Sequence, residues 1–240
     1  MTSVQQQQAR LVEVKALNPE VRHYVFESLS GPVFQFHPGQ YVCLSKSFNG
    51  TEIQRFYSVA SPPDGTSFFA VCCNPVRDSS PFGEYLRRMQ PGEILTYAGP
   101  AGNFRLQQPL RESVFIAHGT GITPIRSMLH HLLQASNPPS VPLMLLYGAR
   151  NPKWLFYEDE FRQLEEQHRN FRFWPTLSRP VNGWEGRQGY VQAHLEAVLK
   201  GRETEIDFYM CGRPAMVGEV CRRLRQAGFD ESALIYEKYG

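Results

Sequence analysis

The hydrophobic pattern of this 240-residue chain changes character near residue 108, and that change limits the folds open to it more than any single motif does. Up to about Arg105 the apolar residues come in short runs: Leu11–Val14, Tyr24–Phe26, Tyr41–Leu44, Phe56–Val59, Phe68–Val71 and Ile94–Tyr97. Turn formers punctuate them at Asn18-Pro19, Pro38-Gly39, Asn49-Gly50, Asp64-Gly65, Pro91-Gly92 and Ala101-Gly102-Asn103. This spacing predicts antiparallel hairpins closing into a small barrel, interrupted by one helix over Phe82–Met89. Beyond Gln108 strand-like runs at Val114–Ala117, Leu143–Tyr147, Phe171–Leu177, Phe208–Met210 and Leu234–Tyr236 alternate with helical stretches. That alternation predicts a parallel sheet covered on both faces. The expectation is a two-domain chain: an antiparallel β-barrel over residues 1–108, then a doubly wound α/β domain over 109–240.

Composition narrows the class. A formal charge of +2 gives no reason to expect a nucleic-acid partner. No run approaches the roughly 18 apolar residues of a membrane span. The five cysteines (Cys43, Cys72, Cys73, Cys211, Cys221) are odd in number and lack CxxC spacing, which argues against a disulfide framework, a zinc site or an iron-sulfur site and favours a reducing cytoplasm. The glutamine run Gln5–Gln8 lies in a start with neither a basic nor an apolar signal segment, and reads as a frayed terminus.

Three segments carry chemistry. Ala117-His118-Gly119-Thr120-Gly121-Ile122-Thr123-Pro124 joins a strand to a helix through two glycines. Such a turn lets backbone approach a phosphate while the helix N-terminus faces the anion. Arg55-Phe56-Tyr57-Ser58 places a cation and a hydroxylated ring on one face of a strand, suited to a ligand with both a phosphate and a flat ring. An ordinary edge strand with a surface arginine would show the same four residues. Glu237 and Tyr239 stand next to Gly240, where an aromatic can move or simply complete a last strand. His130-His131 diverge by about 100° on a helix and form no paired ligand site. Arg87-Arg88 and Arg222-Arg223 fit either a docking face for an acidic protein or solvated helix faces.

Taken in order, the RxYS strand, the GTGITP turn, Cys211-Gly212-Arg213-Pro214-Ala215-Met216-Val217 and the closing Glu-x-Tyr resemble the ferredoxin:NADP reductase superfamily. Pro38-Gly39-Gln40 and Gly99–Phe104 extend the resemblance over nearly the whole chain. The resemblance implies an FAD-binding barrel and an NAD(P)H-binding α/β domain. Arg55 would then hold the FAD pyrophosphate, Tyr57 would pack on the isoalloxazine, and Ser58 would approach its N5. Phe56 would join them, and Phe69, Ala70 and Val71 would line the ribityl and ring system through their backbone. Pro81-Phe82-Gly83 would start the pyrophosphate-binding helix, with Gly83 where the family often has serine, so that a hydroxyl ligand is missing.

On the nucleotide side, Gly119, Gly121, Thr123 and Pro124 would support the NADP pyrophosphate, with Thr120 facing the flavin. Cys211 and Gly212 would lie beside the nicotinamide. Tyr239 would cover the flavin face, with Glu237 carrying protons or positioning the nicotinamide beside Ser58. Arg150, Ser178-Arg179 and Arg187 resemble the positions that grip a 2′-phosphate, and no acidic residue adjoins Ser178, so NADPH is expected over NADH. The chain has no CxxxxCxxC run for a fused cluster, which points to a separate ferredoxin or flavodoxin as electron partner. An NAD(P)H:flavin reductase, an oxygenase reductase component and a non-catalytic FAD-binding electron-transfer subunit are the alternatives.

Overall fold

The computed structural model describes residues 6–201 and 205–239. Contacts group them into two compact units. One runs to Arg105 and takes in Arg126–His131, and the other comprises Leu106–Ile125 and the chain from Leu132 onward.

The first unit contains β1 (Gln7–Ala16), β2 (Arg22–Ser28), β3 (Tyr41–Phe48), β4 (Thr51–Ser58), β5 (Phe68–Cys73), α1 (Pro81–Arg88) and β6 (Ile94–Ala101). The strands form one antiparallel sheet in the order β4-β3-β6-β1-β2-β5. Its ends meet where Val59 bridges Val71 and the Ala60 amide donates to the Ala70 carbonyl at 2.7 Å, so the sheet is the expected barrel. Alternation fills the interior: Ala9 and Leu11, Tyr24 and Phe26, Phe69 and Val71 are all buried. The rings of Phe26, Phe34, Phe69 and Tyr97 pack together with centroids 4.6–5.8 Å apart. Asn49 and Gly50 both have positive φ, the conformation a two-residue hairpin demands, and they set the β3–β4 register.

Two expectations need correction here. Residues 1–5 of the expected frayed terminus lie outside the described residues, but Gln7 and Gln8 are already in β1, paired with Tyr97 and Thr96. The Tyr97 hydroxyl donates to Gln7 Oε1, which puts the half-buried Gln7 on the inward face with Ala9 and Leu11, while the exposed Gln8 lies on the solvated side of a real strand. The strand expected at Phe56–Val59 instead starts at Thr51, because Ile53, Arg55 and Tyr57 alternate inward between Glu52, Gln54 and Phe56.

The second unit contains β7 (Glu112–His118), the ends of α2 (Ile122–Leu133), whose middle Arg126–His131 groups with the first unit, β8 (Leu143–Ala149), α3 (Glu158–Gln167), β9 (Phe171–Leu177), β10 (Arg187–Gln188), α4 (Leu195–Leu199), β11 (Ile206–Gly212), α5 (Pro214–Gln226) and β12 (Leu234–Lys238). All its strands are parallel, in the order β10-β9-β8-β7-β11-β12. Every residue of β8 and of β11 is buried, as a sheet covered on both faces requires. The strand order reverses at β7, where successive elements turn first toward β8 and later toward β11. Such a switch point opens a crevice at the carboxyl ends of the strands. At the opposite end, Arg111 donates to the fully buried Asp207 at 2.7 Å, and the Gln107 amide donates to the Tyr209 hydroxyl at 2.8 Å. These two bonds tie the segment entering the unit to β11.

Candidate active site

In the barrel, Arg55 and Tyr57 share the inward face of β4, with Tyr57 half-buried against the core. Arg55 is not a free cation. Its Nε and Nη2 donate to the two carboxylate oxygens of Asp78 at 2.7 and 3.0 Å, and Nη1 donates to the Gln54 carbonyl at 2.9 Å. Three of its five N–H donors are thereby used, leaving two for a phosphate. Burial alone would raise the Asp78 carboxyl, but hydrogen bonds from Arg55 and Ser80 outweigh it and hold the group at about 2. A carboxylate held below its ordinary 3.8 stabilises the fold above that value, and the contribution disappears as pH falls through about 2. In the flavin-free protein, Arg55→Met should therefore cost about 1 kcal/mol at neutral pH, discounted for the exposure of Arg55, and nothing below pH ~2. Urea titrations of both proteins across the acid range would show the gap closing, and a gap independent of pH would refute the assignment.

The start of α1 explains why glycine stands at position 83. Ser80 caps the helix, its Oγ accepting from the Gly83 amide at 3.4 Å, with Pro81 at the first helical position. A Cβ on Gly83 would fall 2.0 Å from the Asp78 carbonyl oxygen. The turn that brings Asp78 to Arg55 thus occupies the space a serine would need, and the nearby hydroxyl comes from Ser80. Sequence reading missed both Asp78 and Ser80. Ser80 had a signal, a serine immediately before proline at a helix start, whereas Asp78 pairs across 23 residues with none.

The other barrel candidates divide. Ser58 ends β4 and is buried. Phe56 faces away from Arg55 and Tyr57, 65% exposed and edge-on to Tyr41 with centroids 5.6 Å apart. The side chains of Phe69, Val71 and Phe82 are core, which leaves only their backbone for a ligand. Both polar backbone groups of Ala70 are taken, the amide by Ser61 Oγ at 3.0 Å and the carbonyl by the Ala60 amide. The β5 segment therefore shapes the position of Ser58–Ala60. On the Arg55 face the donor set suits an anionic, flat ligand, with two unused Arg55 donors beside the Tyr57 ring, while Phe56 presents its ring to the opposite face.

In the α/β unit the glycine turn, Gly119–Gly121, is a single 3₁₀ turn leading into α2. A Cβ on Gly121 would lie 2.3 Å from the Cys211 carbonyl oxygen, so the GTG turn and the Cys211-Gly212 strand end touch backbone to backbone at the switch point. Thr123, buried, donates to the Thr120 carbonyl at 2.7 Å, and Tyr147 donates to the Gly119 carbonyl at 3.1 Å. Thr123 thus stiffens the turn through its hydroxyl, and Pro124 is buried behind it.

Cys211, Glu237 and Tyr239 meet at the same edge. The Tyr239 amide donates to the Gly212 carbonyl at 2.8 Å, and its side chain hydrogen-bonds the Cys211 thiol. Burial drives the Cys211 thiol well up, Glu237 adds to the effect, and Tyr239 opposes it. The group is a neutral thiol, a small polarisable wall with no charge.

Beside this edge lies a cavity of about 200 Å³. His118, Gly148 and Ser178 line it from the carboxyl ends of three neighbouring strands, with Tyr190, Gln192 and Arg213 opposite. The strand ladder continues past the sheet, the Ser178 amide donating to Ala149 O at 2.9 Å and the Arg179 amide to Arg150 O at 2.7 Å. The backbones of two cationic residues therefore run side by side at the cavity's Ser178 border. Arg187, by contrast, lies over the Trp174 ring, 3.6 Å from its centroid, and does not line the cavity. Sequence reading gave no role to Tyr190 and Gln192, which a short 3₁₀ turn contributes without periodicity, or to Arg213, which stands between β11 and α5. The cavity's donors and glycine-lined rim, at the carboxyl ends of the strands, fit part of a nicotinamide dinucleotide.

Arg87 and Arg88 both pair with Glu84, and Arg222 and Arg223 both pair with Glu219. Each pair of arginines shares one carboxylate on an exposed helix face, so each face keeps a net positive charge. No helix among the described residues is long and apolar enough to cross a membrane.

A barrel that holds a guanidinium with two donors to spare and a parallel sheet with a dinucleotide turn define a class, the two-domain flavin- and nicotinamide-dependent oxidoreductases. The oxidoreductase FAD-binding domain pattern matches residues 8–106 and the oxidoreductase NAD-binding domain pattern residues 115–222. The chain is 37% identical to ferredoxin–NADP reductase B of Sorangium cellulosum over 97% of each chain. It is 31% identical to a component of the Na(+)-translocating NADH-quinone reductase of Idiomarina loihiensis over 79% of its own length, and spans about half (49%) of that protein. A crystal structure of a ferredoxin NADP+ reductase from Neisseria gonorrhoeae with bound FAD and NADP superposes with a TM-score of 0.81, covering 98% of each chain at 21% identity, a likeness of fold. The chain belongs to the ferredoxin–NADP reductase family.

Proposed function

We propose that this protein passes reducing equivalents from NADPH through FAD to a separate ferredoxin or flavodoxin in the cytoplasm. The observation that carries the NADPH reading is the nucleotide cavity. Its Ser178 border carries Arg150 and Arg179 on adjoining backbone, and none of its described lining residues is acidic. A 2′-phosphate wants such donors, whereas a bare 2′-hydroxyl is usually read by a carboxylate. FAD, when bound, supplies the change from two-electron to one-electron chemistry.

The residues then act as follows. Arg55 and the start of α1 at Pro81, Phe82 and Gly83 hold the FAD pyrophosphate, with Asp78 fixing the guanidinium plane. Tyr57 and Phe56 offer aromatic surface, and Ser58 offers a hydroxyl toward the flavin. The backbone of Phe69, Ala70 and Val71 fixes that strand end. Gly119, Thr120, Gly121, Thr123 and Pro124 form the pyrophosphate turn of the nucleotide. Cys211 and Gly212 keep the nicotinamide side neutral and open, while Glu237 holds a proton or the carboxamide and Tyr239 covers the ring face. Arg150, Ser178, Arg179 and Arg187 read the 2′-phosphate.

A separate carrier as acceptor is supported by the full-length match to a ferredoxin–NADP reductase. The experiment is NADPH oxidation by the purified, FAD-loaded protein with ferredoxins, flavodoxin and free flavin as competing acceptors. Saturable reduction of a carrier protein with flavin retained on the enzyme supports the reading. Turnover only with free flavin that leaves the protein would replace it with a flavin reductase.

A further inference from the structure

Arg187 occupies an unexpected place for a residue proposed to meet a 2′-phosphate. It stands opposite Thr176 in the β9–β10 pairing. Trp174, Thr176 and Ser178 follow at alternate positions and so share a face. Trp174 is about 7 Å before Thr176 along the chain, and Ser178 about 7 Å beyond it. The Arg187 guanidinium is on the Trp174 side, 3.6 Å from the ring centroid, while Ser178 lines the nucleotide cavity on the other side. Two neighbours agree with that placement. Glu165, whose carboxylate accepts the Phe173 amide at 3.0 Å, and His194, which meets Thr176 Oγ1 at 2.9 Å, both act electrostatically on Arg187.

The backbone of Arg187 is fixed independently of its side chain. The Trp184 indole donates to the Arg187 carbonyl at 2.9 Å, and the ring covers Gly186 so closely that a Cβ there would fall 2.5 Å from Cζ2. With the backbone held, only the side chain is left to move, and from midway along β9 its rotamers can direct it to either end. A guanidinium over an indole face is held by cation–π attraction. A phosphate offers it charge-assisted, bidentate bonds that are stronger.

Resting on the NADPH reading, we propose that Trp174 is a resting platform for Arg187, from which the guanidinium transfers to the nucleotide's 2′-phosphate, so that Trp174 sets how strongly the enzyme prefers NADPH. Trp174 is a positioning residue that opposes binding. Its removal frees Arg187 and tightens the phosphorylated nucleotide alone.

The test is titration of the FAD-loaded enzyme with NADP+ and with NAD+, followed by the flavin difference spectrum. Trp174→Leu should tighten NADP+ by about threefold to tenfold and leave NAD+ unchanged. Trp174→Phe, which keeps a ring with a weaker face, should shift NADP+ the same way by less. In an Arg187→Ala background, Trp174→Leu should change nothing. Weaker NADP+ binding in both Trp174 variants would overturn the proposal and make the indole a preorganising clamp. An unchanged NADP+ affinity, or a gain that persists without Arg187, would also overturn it. Equal affinity of the unmodified enzyme for NADP+ and NAD+ would bring down the NADPH reading itself, an outcome distinct from a wild-type preference that Trp174→Leu fails to alter.

Discussion

Replacing Gly121 by alanine is expected to lower NADPH kcat/KM by about two orders of magnitude and to destabilise the α/β unit by about 3 kcal/mol. The added methyl would sit 2.3 Å from the Cys211 carbonyl oxygen, 2.6 Å from the carbonyl carbon and 2.9 Å from Gly212 Cα. All three are backbone atoms of a strand hydrogen-bonded on both sides, so none can swing away as a flexible side chain could. The GTG turn must therefore lift off β11. Displacing it shifts the phosphate cradle relative to Cys211 and Gly212, and an offset near 1 Å is enough to cost about 100-fold. Thermal unfolding together with NADPH steady-state kinetics checks both parts. A variant with native stability and kinetics would show that the two turns are not in backbone contact.

Gly83→Ser is the second large effect, and its direction separates two accounts. If the position lacked only a hydroxyl ligand, restoring serine would strengthen FAD binding. The geometry predicts the reverse, because the new Cβ would lie 2.0 Å from the Asp78 carbonyl oxygen and 2.7 Å from Asp78 Cβ. Either α1 or the Asp78 turn must move, which breaks the two-pronged hold on Arg55 and the Ser80 cap. The barrel should lose about 1 to 3 kcal/mol, and flavin bound per purified chain should fall. Flavin content at or above the unmodified protein's, at undiminished stability, would show that the family's serine is simply absent here.

Much of the architecture was legible because it rests on local rules. The short apolar runs at Leu11–Val14 and Tyr24–Phe26, the Asn49-Gly50 turn, and the strand-helix alternation after Gln108 are local signals, and the barrel and parallel sheet follow from them. Short or polar elements were less visible. The two-residue β10 has no period to detect, and β1 begins among glutamines that look like a tail until Tyr97 bonds Gln7.

At the site, sequence identified residue types better than their partners. Arg55 stood out as a cation, but its ion pair with Asp78 is a tertiary contact that no spacing encodes. Thr123 looked like a phosphate ligand and turns out to brace Thr120. Arg187 stands with Arg150 and Arg179 in the sequence reading, yet only the structure shows it stacked on Trp174, while those two follow the lining residues Ala149 and Ser178 with their backbones paired. For Arg55 and Arg187 the residue type is local information and its partner is not.

The most direct test of the central reading is anaerobic rapid mixing of the FAD-loaded protein with NADPH or NADH, following loss of the oxidised flavin absorbance. The account predicts rapid, complete bleaching by NADPH, with NADH needing about 10 to 100 times higher concentration for the same rate, the worth of one to two charge-assisted bonds to the 2′-phosphate. Equal rates with both nucleotides at equal concentration, or no bleaching by either, would contradict it.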